Sequence, residues 1–568
     1  MSKSYKERGN VLARNKLNII FHDMYKMLST VGFIERYLFK IRKVFMIMYP
    51  ADEFSVDVKT IKLSLKAWII SGIIFAVSIS SGKLHIYGYG MILIMLIVIN
   101  VELINAGFSK MELKLLRQLE HYLGEVRHYF HMNGVLEDAI YDSLEDAEYE
   151  IFLHISHIYE ILLDSDKDKT NRYKDIAPNK FFMTFLALCE TVMFYGDTIK
   201  DGESLFLQNI NSLRDEIRTE ILKREKINYV FAGLTGMCLI PPFTLKVIEK
   251  WGISNIPELK YFYDGKYGLL VSVIIMLSSL GAYGLISRLK ESYRYTRKNH
   301  DILQRIDNIN IVDKVIIKYM FRHPAKVKKL GDKLRRASED ISVKNFLIRR
   351  VFIGIGTFII LTLTMVYGNS LVDNDVIPIP RFSAMMLPFP IAVSFFASVI
   401  PDIMLDIRMY LLRGSMENEV ISFHSIIIML MHIKRMNVET ILEWLENFSE
   451  IFKTSLGECV DNYSYCEEDA LEHLKEMEPY PPFVRIIENL LASDNVGIED
   501  AFEEIYSQQQ YFMEKRKQDN EINIANSGAI ARFVSFIPMV VTIGLYLIVP
   551  FVIQSLWELM GYAGQISI

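Results

Sequence analysis

The chain has 568 residues and a formal net charge of −5 at pH 7, and 51% of its residues are hydrophobic. A soluble chain of this length would ordinarily divide into roughly three or four domains. Here the mean hydropathy is positive and the apolar residues are gathered into long runs, which is typical of a protein built in a lipid bilayer. The composition therefore excludes an ordinary multidomain soluble protein.

Runs of apolar residues with almost no charge recur along the chain. With their flanks, they reach the roughly 17–25 residues that cross a hydrocarbon core as a helix. The first run follows a long basic segment and begins too far into the chain to be a cleaved signal peptide. The sequence therefore predicts an all-α, polytopic membrane protein with about seven transmembrane helices. The runs are 67–80, 90–104, 229–245, 267–286, 351–368, 384–401 and 533–553.

The distribution of charge predicts how these helices are oriented. Residues 1–66 and, more strongly, 287–350 are rich in Lys and Arg, and positively charged segments stay on the cytoplasmic side of a membrane. Seven crossings then put the N-terminus inside and the C-terminus outside, with the long polar segments 108–228 and 406–532 in the cytoplasm. The loops predicted outside are those near 83–89, 249–266 and 369–383.

Both long polar segments are helical by pattern. Apolar residues recur at steps of three and four from Leu115 to Val126 and again from Ile441 to Phe452, which puts them on one face of a helix. The length of each segment suits a small helical bundle. The residues expected on the buried faces are Leu115, Leu116, Leu119, Leu123 and Val126 in the first segment and Ile441, Leu442, Leu445, Phe448 and Phe452 in the second.

The two polar segments also resemble each other. "HYFHMNGVLEDAIYDSLED" (128–146) and "MHIKRMNVETILEWLENF" (431–448) share Met-Asn, then Val, an acid and Ile at nearly the same spacing. Further on, "FLALCETVMFYGDTIKDGESLF" (185–206) parallels "VRIIENLLASDNVGIEDAF" (484–502). Each segment then continues through a charged stem into an apolar run that contains Ile-Pro. Such self-similarity indicates a tandem duplication. The prolines are Pro241 and Pro242 in the first copy and Pro538 in the second.

The predicted organisation is a juxtamembrane segment, two spans, a cytoplasmic bundle and one span, written twice with an extra span between the copies. "FSVDVKTIKL" (54–63) and "ISVKNFLIRR" (341–350) precede the span pair of each copy. In chain order the segments are 1–65 (cytoplasmic N-terminal juxtamembrane helices), 66–107 (transmembrane pair), 108–228 (first cytoplasmic helical bundle), 229–286 (transmembrane pair), 287–350 (basic cytoplasmic linker), 351–405 (transmembrane pair), 406–532 (second cytoplasmic helical bundle) and 533–568 (last transmembrane helix and outside tail).

Three motifs in the second copy resemble one family. "KLRRASEDISVKNFL" (333–347), "PDIMLDIRMYLLR" (401–413) and "MNVETIL" (436–442) are similar to the F-type platform proteins of type II secretion and type IV pilus machines. The likeness is greatest to the two platform subunits of tight-adherence (Tad) pili, here joined in one chain, and it covers nearly the whole chain. It implies a non-enzymatic protein of the inner (cytoplasmic) cell membrane. The partners that it implies are a cytosolic hexameric secretion ATPase and the transmembrane helices of pilins or pseudopilins, besides membrane lipids; homo-oligomer formation stays open, and no nucleic acid is expected.

Sequence motifs of catalysis are missing. The chain has no Walker-type phosphate loop, no His-Glu-x-x-His and no Gly-x-Ser-x-Gly, so no catalytic residue and no cofactor or metal site is predicted. "GIG" at 354–356 lies in a predicted span, where small residues permit close helix packing. Cys459 and Cys466 are too widely spaced for a usual zinc pair and, being cytoplasmic, are expected to be reduced.

Two pairs of histidines leave alternatives open. His128 with His131, and His154 with His157, each share a helical face at a spacing of three residues. Imidazole is a common ligand of transition metals, so two such faces could bind one if they met. The other interpretation is that these histidines are exposed or cap helices, and the second copy lacks both pairs.

Two groups of charged residues are candidates for partner binding. A basic group beside the membrane either anchors the chain on anionic lipid or docks the acidic face of the ATPase that the resemblance implies. Acids that recur in both copies either cap helices and keep the bundles soluble, or hold a divalent ion or a basic partner. The basic group is Lys326, Lys328, Lys329, Lys333, Arg335 and Arg336, and the acidic group is Glu190, Asp197, Asp201, Glu488, Asp494 and Glu499.

A platform that scaffolds assembly of a secretion or pilus machine, and couples the ATPase to pilin movement, accounts for the duplicated bundles and the sparse charge in the spans. A duplicated secondary transporter is the alternative, because transporters are often built from repeats with broken helices at the bilayer midplane. The repeated prolines are candidates for such breaks. A membrane-bound signalling enzyme would need a catalytic constellation, and the sequence contains none.

Overall fold

The structure is a computed structural model that describes residues 16–80, 86–164, 173, 176–197, 199–200, 203–291, 320–322, 324–336, 342–371, 388–431, 436–449 and 451–566. These residues are almost entirely α-helical, so the predicted all-α class is confirmed. Within them, a single short β-ladder pairs β1 (Ile199–Lys200) with β2 (Glu203–Ser204) in antiparallel register.

Twelve helices precede the predicted basic linker, and ten follow from within it to the end of the chain; both counts refer to the described residues. The first group is α1 (Lys16–Leu28), α2 (Gly32–Met48), α3 (Glu53–Ser80), α4 (Ile86–Asn133), α5 (Leu136–Glu145), α6 (Tyr149–Asp164), α7 (Lys180–Tyr195), α8 (Leu205–Phe231), α9 (Leu234–Leu239), α10 (Pro241–Asn255), α11 (Lys260–Tyr263) and α12 (Lys266–Glu291), with a 3-10 turn at Pro257–Leu259. The second group is α13 (Pro324–Arg336), α14 (Val343–Leu371), α15 (Pro388–Leu430), α16 (Val438–Phe448), α17 (Lys453–Tyr463), α18 (Glu467–Met477), α19 (Pro481–Val496), α20 (Ile498–Ser507), α21 (Gln509–Val541) and α22 (Val549–Ile566), with a π-helical segment at Thr542–Ile548.

Several helices are long and apolar enough to cross a membrane, as a multi-pass protein requires. Among the described residues there are five, and a sixth candidate is the bent pair Leu205–Leu239 and Pro241–Asn255, whose axes differ by 48°. The predicted run 384–401 lies partly outside the described residues and is not among them, so the count of seven stays a prediction. The five are Glu53–Ser80, Gly88–Asn133, Tyr267–Lys290, Val343–Leu363 and Gln510–Leu559.

The chain divides into two compact units. Unit 1 contains Met1–Gly72, Ile99–Glu225 and Glu417–Gln518, and so includes most of both long polar segments. Unit 2 contains Ile73–Val98, Lys226–Met416 and Asp519–Ile568.

The core of unit 1 is formed by the apolar faces that the periodicity predicts. All ten residues predicted on those faces are buried. In the second copy, the ring of Phe452 stacks on Phe483 with centroids 4.2 Å apart. Helix α16 begins where the Asn437 side chain accepts the Thr440 N–H at 2.8 Å, which satisfies one of the free donors of the first turn.

One backbone feature recurs in both copies. Helices α7 and α19 are each 16 residues long, and each is followed by a glycine, Gly196 or Gly497, with φ of 77° or 89°. A side chain is strained in this left-handed region, which favours glycine at the end of a helix. The two glycines therefore give the alignment of the copies at this point.

In unit 2, helices α14 and α15 approach closely at the first glycine of the GIG motif. A Cβ atom on Gly354 would lie 3.2 Å from the Cβ of Ser398, and the Ser394 hydroxyl donates a 2.6 Å hydrogen bond to the Gly354 carbonyl. Gly356 has no neighbouring atom within 4 Å of its added Cβ. The predicted role of small residues in helix packing thus holds for one glycine of the pair.

We expect Gly354→Leu to lower the thermal unfolding midpoint of the detergent-solubilised protein more than Gly356→Leu does. The larger side chain at 354 must push α15 away and break the Ser394 hydrogen bond, because packed helices tolerate overfilling poorly. The two variants make the same chemical change two residues apart in one helix. Equal midpoints for them would contradict the close approach.

The last helical stretch contains a wide turn that hydroxyl groups stabilise. The π-helical segment Thr542–Ile548 follows Pro538, and π turns leave backbone carbonyls without their usual helical donors. The Tyr263 hydroxyl donates to the Tyr546 carbonyl at 3.1 Å, and the Tyr267 hydroxyl donates to that of Leu545. These two hydrogen bonds satisfy carbonyls that the widened turn exposes.

Candidate partner-binding surface

Helix α13 carries the predicted basic group and is fixed to unit 2 by an apolar face. Leu334 is buried in a cluster with Phe346 of α14 and Leu405 of α15, and Leu330 packs against the same cluster. The helix begins at Pro324, where the missing N–H costs no helical hydrogen bond. Three of its cations, Lys328, Lys329 and Lys333, are exposed.

Two acids of the motif "PDIMLDIRMYLLR" on α15 form ion pairs with α14 and α13. Asp402 and Asp406 lie one turn apart on α15. The Arg350 guanidinium is 3.0 Å from Asp402, and the Lys333 ammonium is 2.8 Å from Asp406. No role was predicted for these acids, although their i, i+4 spacing puts both on one face of a helix and was a usable signal.

The predicted cations are therefore not equivalent. Lys328 and Lys329 are exposed, whereas Lys333 already pairs with Asp406 within the chain. The side chains of the remaining three lie outside the described part of the structure; they are Lys326, Arg335 and Arg336. Among the described side chains of the group, the exposed lysine pair, Lys328 and Lys329, is the part that is accessible to a partner.

The predicted acids do not form one site. The Asp197 carboxylate accepts the Phe206 N–H at 3.1 Å, which supports the start of α8. Glu488 pairs with Lys475 at 3.0 Å on the surface. Glu190 is half-buried, and Asp494 and Glu499 are exposed; Asp201 lies outside the described residues.

The positions of Gly196 and Gly497 change the alignment of these acids between the two copies. Glu190 is six residues before Gly196, but Glu488 is nine residues before Gly497, and Asp197 follows its glycine whereas Asp494 precedes its own. The acids therefore occupy different positions in the two copies. At Asp197, the interpretation as a helix cap is the one that the contacts support.

The histidine pairs do not converge on a metal site. His154 is buried between the rings of Tyr173 and Phe182, and neither of its ring nitrogens has a hydrogen-bond partner. Burial, with a smaller effect of the nearby His157, lowers the pKa of His154 to about 3. Its neighbour His157 instead faces Glu160 at 3.9 Å. Nowhere in the described ranges do three His, Cys, Asp or Glu side chains gather closely enough to hold a metal ion.

Glu150 connects three helices of unit 1. Its carboxylate accepts hydrogen bonds from the hydroxyl of Tyr49, the residue that follows α2, and from the Lys114 ammonium of α4, both at 3.0 Å, and from Gln118 of α4 at 3.1 Å. Burial alone would raise the pKa of Glu150, but the hydrogen bonds from Gln118 and Lys114 outweigh it and lower the pKa to about 2. A carboxylate so held stays charged and keeps the helices in register.

A buried ion pair joins the two copies inside unit 1. The Arg516 guanidinium of α21 lies 3.2 Å from the Glu216 carboxylate of α8, and the Ser422 hydroxyl of α15 donates to the same carboxylate at 2.7 Å. Both charged side chains are buried. Glu216 lies in the charged stem of the first copy (214–228) and Arg516 in that of the second (514–523). The sequence shows both stems but does not indicate that they meet.

The same two stems also meet in unit 2. The Lys226 ammonium of α8 lies 2.9 Å from the Glu521 carboxylate of α21. Two turns further along α21, Gly528 leaves no room for a Cβ beside Val230. The contacts advance in the same direction on both helices, so α8 and α21 run parallel here.

The fold and these contacts define an all-helical protein with several helices able to cross a membrane and a basic helix anchored at their ends. Comparisons of the chain with protein-family models, with curated proteins and with solved structures found no match.

Proposed function

We propose that the protein is a non-enzymatic inner-membrane platform that scaffolds a type II secretion or Tad-type pilus machine and couples a cytosolic hexameric ATPase to pilin movement. The family resemblance of 333–347, 401–413 and 436–442 motivates the proposal. The observation that supports it best is that two of these motifs contact each other, through Lys333 with Asp406 and Leu334 with Leu405.

Coupling a motor to membrane helices needs a surface that binds the motor and a stiff connection to the spans. The exposed lysine pair supplies positive charge on α13, and α13 is held to α14 and α15 by apolar packing and by the Lys333–Asp406 ion pair. An ATPase with an acidic rim would be steered to these lysines and held in register by them. Movement of the docked motor would then load α14 and α15 directly.

The proposed orientation follows the charge distribution: the N-terminus, both helical bundles and the basic linker in the cytoplasm, and the C-terminus outside. The buried Glu216–Arg516 pair supports the view that the bundles of the two copies act as one body. Pilin helices would meet the candidate spans in the bilayer, where the exposed surface is apolar.

The docking role is tested by Lys328→Gln combined with Lys329→Gln. The spans and the core are untouched, so we expect normal abundance and membrane insertion, with loss of ATPase co-purification and of surface filaments. The matched control is Lys453→Gln with Lys517→Gln, which removes the same charge from other exposed positions. Wild-type recovery of the ATPase with the first variant at physiological salt would refute the docking role.

A secondary transporter remains the second candidate because of one observation. The 48° break before Pro241 and the π segment after Pro538 fall at corresponding places in the two copies, and transporters carry repeat-related breaks of this kind. Solute or ion flux into proteoliposomes that contain only the purified protein would favour the transporter and count against the platform.

A further inference from the structure

Helix α2 has one face packed on two candidate spans and an exposed face that carries three cations besides Glu35, Phe39 and Met46. Ile41 and Phe45 are buried in a cluster with Ala67 of α3 and Ile104 of α4. The outward side chains include three cations along successive turns, all exposed: Arg36, Lys40 and Lys43.

The contacts of Tyr37 fix the level of α2 relative to the candidate spans. Its ring stacks on Trp68 with centroids 5.9 Å apart, and its hydroxyl donates a 2.6 Å hydrogen bond to the Asn100 side chain. Helix α3 has no charged residue from Ala67 to Ser80, and α4 has none before Glu102. Tyr37 therefore lies where both candidate spans lose their charges, the level at which Trp and Tyr gather at membrane interfaces.

The other end of α2 points to the polar side. The ring of Phe45 contacts Phe108 with centroids 5.7 Å apart, and the Tyr49 hydroxyl donates to Glu150. From Tyr49 back to Gly32, the helix therefore approaches the uncharged part of the spans. Phe33 lies one turn beyond Tyr37, about 6 Å along the axis, and its side chain is 87% exposed.

We propose that the N-terminal end of α2 inserts into a phospholipid surface, with Phe33 at the boundary of the acyl chains and Arg36, Lys40 and Lys43 on anionic headgroups. An apolar tip beside a row of cations is the pattern by which interfacial helices bind anionic membranes. Exposed apolar side chains also occur in the preceding turn and in α1: Val31, Met27, Ile20 and Leu17. The proposal needs only that α3 and α4 enter a bilayer, and it is independent of the ATPase.

Spin labels on the full-length chain in lipid nanodiscs test the insertion. One label is attached through Phe33→Cys and another through Tyr465→Cys, a control whose side chain is 88% exposed between α17 and α18. Both carry Cys466→Ser, because Cys466 is the exposed one of the four cysteines. We expect collisions with oxygen to dominate at Phe33, and collisions with a water-soluble nickel chelate to dominate at Tyr465.

The headgroup part is tested by Arg36→Gln, Lys40→Gln and Lys43→Gln together. We expect the phosphatidylglycerol retained by the detergent-purified protein to fall by at least about twofold, with phosphatidylethanolamine unchanged. Arg127→Gln, Lys453→Gln and Lys517→Gln together remove one Arg and two Lys from other exposed positions, and this triple variant is the control for charge alone. Nickel access at Phe33 equal to that at Tyr465 would overturn the proposal. Protection of Phe33 from both reagents would overturn it too, since a protein segment would then cover the face.

Discussion

Arg516→Ala is expected to lower the free energy of unfolding by about 3–5 kcal/mol, because the buried Glu216 carboxylate loses the guanidinium that it contacts and keeps the weaker attraction of Lys180. Glu216→Ala should cost a similar amount. The double variant Glu216→Leu, Arg516→Met removes both charges and should recover most of the loss, since apolar side chains of similar volume replace a buried pair well. Chemical unfolding in detergent, followed by tryptophan fluorescence, measures all three.

The surface pair Arg485 and Glu504 is the matched control for this cycle. The two groups are 2.7 Å apart and both are more than half exposed, so Arg485→Ala should cost less than about 1 kcal/mol. If Arg516→Ala were as mild as Arg485→Ala, the pair would not join the two copies. If the double variant were as unstable as the single ones, the site would act through its shape and not through its charges.

Acidification below pH 6.5 is expected to destabilise unit 1, and His154→Phe is expected to remove much of that sensitivity. The pKa of His154 falls from 6.5 to about 3 on folding. Between these pH values the imidazole is protonated in the unfolded chain and neutral in the folded chain. Stability is then full above pH 6.5 and falls as the pH drops towards 3, by about 1.4 kcal/mol per pH unit. Phe suits the site in shape, because the His154 ring packs between the rings of Tyr173 and Phe182.

Unfolding midpoints measured at pH values on both sides of 6.5 test this expectation. His128→Gln is the control, since that side chain is exposed. Some sensitivity should persist from His424, whose pKa burial and Arg485 lower to about 4. Towards lower pH, protonation of Glu150 removes its contribution, which is present above the ordinary carboxyl pKa and lost as the pH falls towards 2. Identical slopes for wild type and His154→Phe would contradict the assignment.

Local patterns predicted a large part of this fold. Every residue chosen from the three- and four-residue spacing in 115–126 and 441–452 is buried, because an amphipathic helix records in its sequence which side is covered. The burial of His154 was open to the same argument. It lies between Ile151 and Ile158 on the apolar face of α6, and both interpretations, as half of a metal pair and as an exposed or capping side chain, overlooked that position.

Contacts between distant segments could not be predicted from local sequence patterns. Glu216 and Arg516 are 300 residues apart, and in the sequence each is one charge among many in a charged stem. Gly354 and Gly356 are indistinguishable by pattern, yet only the first lies against α15. The candidate acids were aligned by composition alone, and the positive φ of Gly196 and Gly497, which corrects that alignment, is a property of the folded backbone.

The π-helical segment changes the direction in which the side chains of the last helix point. Each residue of an α-helix turns the chain by about 100°, so one extra residue accommodated in a wide turn rotates every later side chain by that angle. The stripe of side chains that α21 presents to its neighbours is thus not continued by α22. Trp557, which lies in α22 after the π segment, contacts Phe262 with ring centroids 5.8 Å apart. The helix is continuous, but the side chains before Thr542 and those after Ile548 point in directions that are set separately. Residues on the two sides of the segment can therefore suit different neighbours.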